Sequence, residues 1–203
     1  MNKSIARMAL PGALIATLLI GCAGSASQTT YYSLYAPAQR PAAVTTPTGD
    51  ALAVSVGPVV IPDILKQAQI ATGGADGRYR LAEYHRWSGE LDRDLARAIA
   101  EQLAGNLGTE QVAIFPWDQN FPPSCRVLID VLSMGGEPGQ EATLAVRWSL
   151  VDPQGKKPQV IRRSDFREQP AAAGYPAWVA AQQRNVVKLG QEIAGAIQLS
   201  VKP

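Results

Sequence analysis

The protein has one His, two Cys and three Phe among 203 residues, and only 18% of its side chains are charged. With a single His, at position 85, most zinc sites and most His-activated nucleophiles are excluded. Two Cys fall far below the density of a disulfide-built miniprotein. There is no block of like charge, which excludes a long acidic or basic tail. The longest apolar run, Met8 to Ile20, carries Pro11 and Gly12 and is shorter than the roughly 20 residues a spanning helix needs. What is present is 46% hydrophobic residues, enough for one ordinary domain.

Residues 1–21 read as a cleaved signal peptide: Lys3 and Arg7 precede the apolar run, and polar Ser25, Ser27, Gln28, Thr29 and Thr30 follow it. The run closes on Leu19-Ile20-Gly21-Cys22, which resembles the lipobox of bacterial lipoproteins. That resemblance implies cleavage before Cys22, an S-diacylglycerol on its thiol and an N-acyl chain, palmitate for example, on its new amino group. Each buried methylene contributes about 0.8 kcal/mol, so several chains hold where one would not. Ala23 and Gly24 follow instead of the Asp that retains lipoproteins at the inner membrane of many enteric bacteria, so the resemblance implies export to the periplasmic face of the outer membrane.

Removing Lys3 and Arg7 from the 19 basic residues leaves 17 against 17 acids, a formal charge of zero. Clustered basic charge for nucleic acid is therefore missing. With Cys22 acylated, only Cys125 remains and no intramolecular disulfide can form. Residues 22–30 read as the lipidated Cys and a short tether, with Ala23 to Gln28 reaching roughly 20 Å at full extension. Residues 31–203 read as one domain.

Within that domain Thr29 to Tyr35 is rich in β-branched and aromatic residues and reads as a first strand. Ala36 to Asp50 holds Pro37, Pro41, Pro47 and Gly49 and reads as a loop. Leu52 to Pro62 reads as a strand interrupted at Gly57-Pro58. Gln69 to Thr72 and Tyr79 to Tyr84 read as a hairpin across Gly73 to Gly77. Leu91, Leu95, Ile99, Leu103 and Leu107 recur every four residues, predicting an amphipathic helix with Ser88 as N-cap and Gly105 or Gly108 at its end. Val112 to Phe115, Arg126 to Leu132, Glu141 to Val151 and Val160 to Phe166 read as strands, the last three antiparallel. Pro176 to Ser200 reads as a second long helix with Val179, Val186, Ile193 and Ile197 inward. The fold class is α/β: a single domain with a mixed, largely antiparallel β-sheet packed with two long α-helices.

No catalytic or metal constellation emerges. His85 stands alone and reads as a packing residue, and Asp92 with Asp94 reads as a solvated helix face because residues two apart do not face each other. Gly73-Gly74 and Gly135-Gly136 lack the setting of a phosphate loop and read as turns. Cys125 opens an apolar strand and reads as a structural thiol. Trp87, Trp117, Trp148 and Trp178 read as packing residues, with Arg86 and Trp87 at the mouth of the first helix singled out as a partner surface.

Six motifs occur in order: Tyr31-Tyr32-x-Leu34, Val56-Gly57-Pro58-Val59-x-Ile61-Pro62-x-x-Leu65, Arg86-Trp87-x-x-x-Leu91, Pro116-Trp117, Arg126-Val127-x-x-Asp130-Val131 and Leu144-x-x-x-Trp148-x-Leu150. Together they resemble the ABC-type transport auxiliary lipoprotein family, also called the PqiC or YmbA family. The last helix is more polar than that family's, with Gln182, Gln183, Arg184 and Asn185. The resemblance implies no catalysis and no cofactor. It implies a lipid-anchored adaptor for an MCE-domain, PqiB-like protein and its inner-membrane ABC transporter, moving lipid between membranes and supporting envelope integrity. The rival readings are a carrier that shelters an acyl chain in its own apolar groove and an envelope enzyme. A homo-oligomer is compatible with either binding role.

Overall fold

The computed structural model describes residues 27–35, 52–117, 121–154 and 156–201. Cys22, the leader 1–21 and the proline-rich loop lie outside the described residues. The elements in chain order are β1 (Thr30–Tyr32), β2 (Val54–Val60), β3 (Gln69–Gly73), β4 (Tyr79–Trp87), α1 (Leu91–Leu107), β5 (Val112–Ile114), β6 (Cys125–Gly135), β7 (Ala142–Val151), β8 (Pro158–Glu168) and α2 (Tyr175–Val201).

The mixed α/β architecture with two long helices is the one the sequence predicts, and its strands fall into two sheets. The larger has order β5-β2-β6-β7-β8 and the smaller β1-β4-β3. In the larger, β2 runs parallel to β5 and β6, while β6, β7 and β8 form an antiparallel meander. Along β7, Ala142, Leu144, Val146, Trp148 and Leu150 are buried in strict alternation, the signature of a sheet covered on one face. That cover is the two helices, which pack on each other, α1 against β2 and β5 and α2 against β7 and β8. The α1 stripe Leu91, Leu95, Ile99 and Leu103 and the α2 residues Trp178, Val186, Leu189, Ile193 and Ile197 all enter one core.

Local chemistry sets the interruptions. Gly57 sits at φ 107 and the β2–β6 register shifts between Val56 and Val59, so the predicted break in the strand is a bulge. Helix α1 ends where Gly108 takes the left-handed conformation and its N–H bonds the Ala104 carbonyl. Its start differs from expectation: Glu90 is the N-cap and makes no side-chain cap bond. Ser88 is drawn away because its N–H donates to the Tyr32 carbonyl at 2.7 Å, prolonging the ladder between the small sheet's strands.

The glycine pairs also differ from expectation. Gly73 and Gly136 form an antiparallel bridge with hydrogen bonds of 2.8 and 2.9 Å, which joins the small sheet to the end of β6. A Cβ on Gly135 would lie 2.2 Å from the Gly73 carbonyl oxygen. These glycines therefore permit two backbones to touch, and the turn reading misses that.

Candidate functional site

The residues singled out by sequence meet at the corner where β1 and β4 approach the starts of both helices. Strand β1 is three residues long and pairs parallel to β4, with Thr30 beside His85, Tyr31 beside Arg86 and Tyr32 beside Trp87. So short a strand gains little from its ladder, and polar side chains hold the residues after it. Asp94, in the first turn of α1, accepts from the Ser33 hydroxyl at 2.8 Å and from the Leu34 N–H at 2.5 Å. From α2, Gln183 donates to the Ser33 carbonyl at 2.9 Å. Leu34 is thereby seated in the core. Asp94 is thus a clamp between the N-terminal strand and α1, and the reading of a solvated helix face is corrected. No periodicity carries that signal, because the partner lies 60 residues upstream.

His85 is a packing residue in a polar-aromatic stack. Its ring lies 4.2 Å from that of Tyr175, nearly parallel, and its Nδ1 is hydrogen-bonded to the Tyr32 hydroxyl at 2.8 Å. Burial pushes the Tyr32 phenol above its ordinary pKa, which keeps that hydroxyl protonated. Trp87 is 5% exposed and belongs to the core. Arg86 is half-buried, and its Nε is shielded from water without a hydrogen-bond partner among the described residues. Of the pair, only Arg86 is therefore placed to meet anything outside the domain.

The polar face of α2 has a structural purpose that sequence alone does not reveal. Gln182 donates to the carbonyls of Gly135 and Thr143 at 3.0 and 3.1 Å, and Asn185 donates to that of Ala142 at 3.0 Å and to the Gln182 Oε1. Buried side chains thus satisfy carbonyls at the β6–β7 turn. Arg184 and Lys188 both bond the Glu168 carboxylate, at 2.7 and 2.6 Å, and these hydrogen bonds hold its pKa below the ordinary range.

Elsewhere, Trp148 donates to Ser164 at 3.1 Å inside the core, whereas Trp117 is partly exposed with the Arg126 guanidinium 5.0 Å from its ring centroid. Cys125 is buried and desolvation pushes its thiol up to about 11, which keeps it protonated and unreactive at neutral pH. No cluster of three metal-ligating side chains is found among the described residues. A cleft of about 190 Å³ lies beside the glycine bridge, lined by Gly73, Tyr79, Gly135, Glu141, Asp165 and Arg167 among others. No helix among the described residues is long and apolar enough to cross a membrane.

Two of the solved structures that match this chain share its fold over most of its length. An uncharacterized protein aligns at 18% identity and TM-score 0.66, covering 84% of this chain and 99% of its own. A Xanthomonas campestris protein of family DUF330 aligns at 15% identity and TM-score 0.62, covering 84% and 93%. No curated protein matches the sequence significantly. The model of the ABC-type transport auxiliary lipoprotein component family matches residues 32–194, from the Tyr32 end of β1 to the last turns of α2. This family is one of transport accessories and not of enzymes. With the match running through both sheets and both helices, the chain belongs to the ABC-type transport auxiliary lipoprotein component family.

Proposed function

We propose that the protein is an outer-membrane adaptor, anchored through an acylated Cys22 on the periplasmic face, for an MCE-type intermembrane lipid transport system and its ABC transporter. The observation that carries this reading is the family match over residues 32–194. The double clamp on Ser33 and Leu34 supports it, because a domain fixed to its tether by two helices presents its other faces in a set orientation. Arg86 is the outward contact of this corner, and Trp87 supports its strand from within. The MCE partner, the acyl groups and the outer-membrane address are the finer parts of the proposal.

The carrier reading is less well supported. Ligand pockets for molecules of lipid-tail size span roughly 300–1,000 Å³ and are mostly apolar. The cleft at the glycine bridge is about 190 Å³ and has Glu141, Asp165 and Arg167 in its wall.

In-cell crosslinking of the tagged, lipidated protein in intact envelopes, followed by mass spectrometry, tests the adaptor. The expected result is an MCE-domain protein attached at a defined face. Phospholipid without a protein partner would favour the carrier, and a different envelope machine would refute the proposed system.

A further inference from the structure

We infer that the outer face of the small sheet, carrying Tyr31, Tyr84 and Arg86, rests on the phospholipid surface that holds the anchor. The inference depends on the acylated Cys22 of the proposal above and adds to it the face that meets the bilayer.

Chain length gives the first argument. Thr30, eight residues after Cys22, is already paired with His85 in the β1–β4 ladder. Eight residues span at most roughly 29 Å. A domain of about 180 residues has a radius of gyration near 16 Å and is about 40 Å across. The tether is thus shorter than the domain is wide, and the end of the small sheet where Thr30 meets His85, next to Tyr84, lies nearest the lipid.

Surface chemistry gives the second. Tyr31 is 62% exposed and Tyr84 39%, and tyrosine rings suit the boundary where one end is wet and the other apolar. Tyr31 is the register partner of Arg86 in the β1–β4 ladder, so their side chains share a face. Arg86 is half-buried and forms no ion pair among the described residues; its Nε is shielded, which leaves the outer end of the guanidinium to meet a ligand. A guanidinium fork matches phosphate oxygens bidentately, and a phospholipid headgroup supplies them. Glu83, the acid next to Tyr84 in the chain, raises that phenol's pKa. By contrast Ile161, 63% exposed, lies on the edge strand of the other sheet.

The test uses the full-length lipidated protein carrying Tyr31→Cys, Tyr84→Cys or, as control, Ile161→Cys, each labelled with an environment-sensitive fluorophore. Acylated Cys22 and buried Cys125 do not compete for the label. In protein-free vesicles of phosphatidylethanolamine and phosphatidylglycerol with brominated acyl chains, quenching at 31 and 84 is expected to exceed that at 161 by about threefold or more, as for groups at the headgroup boundary. Adding Arg86→Glu is expected to remove most of that excess. Equal quenching at all three positions, or none at 31 and 84, overturns the inference and leaves the face to a protein partner. Mass spectrometry of the same sample reads Cys22 separately: an unacylated thiol overturns the anchor and this inference together, whereas an acylated one with equal quenching overturns this inference alone.

Discussion

The two sheets are held in place by different physics. The five-stranded sheet is fixed by apolar burial, with every second residue of β7 inside a core shared with both helices. The three-stranded sheet also contributes Ile70, Ala71, Ala82 and Trp87 to that core, but its position is set by few and directional contacts: the Gly73–Gly136 bridge, the Asp94 clamp and the Tyr32–His85 pair. Burial is tolerant of sequence and spread over many residues, whereas a hydrogen-bonded link fails when one atom is removed. The small sheet is therefore where single substitutions change position as well as stability.

Trp87→Ala is the most severe way to break this comparison, because it removes the largest apolar side chain that the small sheet puts into the core. It is expected to cost about 4 kcal/mol, seen as a fall of roughly 10 °C in melting temperature. Arg86→Ala on the next residue is expected to stay within about 0.5 kcal/mol, as surface changes do. If both variants melted alike, Trp87 would not be the support described. Gly135→Ala comes next, since its methyl would sit 2.2 Å from the Gly73 carbonyl oxygen; forced separation of the two backbones is expected to cost about 2–3 kcal/mol.

Asp94→Ala sharpens the comparison more locally. Loss of two bonds to a charged acceptor is expected to cost about 2 kcal/mol and to speed amide exchange at Tyr32 to Tyr35, with β6 to β8 unchanged. Uniform acceleration across both sheets would refute a local clamp. The smallest effect belongs to the large sheet's side. Glu168, with its pKa lowered by Lys188 and Arg184, stabilises the fold above the unfolded carboxyl value near 4.3, and that contribution is lost as pH falls through its lower folded value. Glu168→Gln is expected to cost under about 1 kcal/mol at pH 7, and stability measured in acid should converge on wild type.

What the sequence made legible obeys the same division. The four-residue spacing from Leu91 to Leu103 and the alternation from Ala142 to Leu150 are local periodicities, and they placed α1 and β7 within a residue or two. Gly57-Pro58 marked its bulge because proline has no N–H to donate. The division into two sheets was not legible, since neither Gly73 nor Gly136 advertises its partner. Asp94 was misread, and the purpose of Gln182 and Asn185 went unseen, for a related reason: the Leu34 N–H that Asp94 accepts from lies 60 residues away and the carbonyls that Gln182 and Asn185 bond lie 39 to 47 residues away, and backbone carries no sequence signal. At the candidate site, sequence paired Arg86 with Trp87 as one surface but did not show that Trp87 is buried and Arg86 only half-buried. The distinction depends on strand pairing, which puts Tyr31 beside Arg86 and Tyr32 beside Trp87.

The parallel pairing of β1 with β4 has a mechanical consequence. A tether attached upstream of Thr30 pulls β1 backwards along its own axis, and in that geometry the ladder bonds to β4 and the Ser88–Tyr32 bond are strained together instead of opening one after another. The bonds to Asp94 and Gln183 lie just behind, in series with the strand. A pull from upstream of Thr30 is therefore borne in shear by the N-terminal strand and passed through Ser33 and Leu34 directly to α1 and α2.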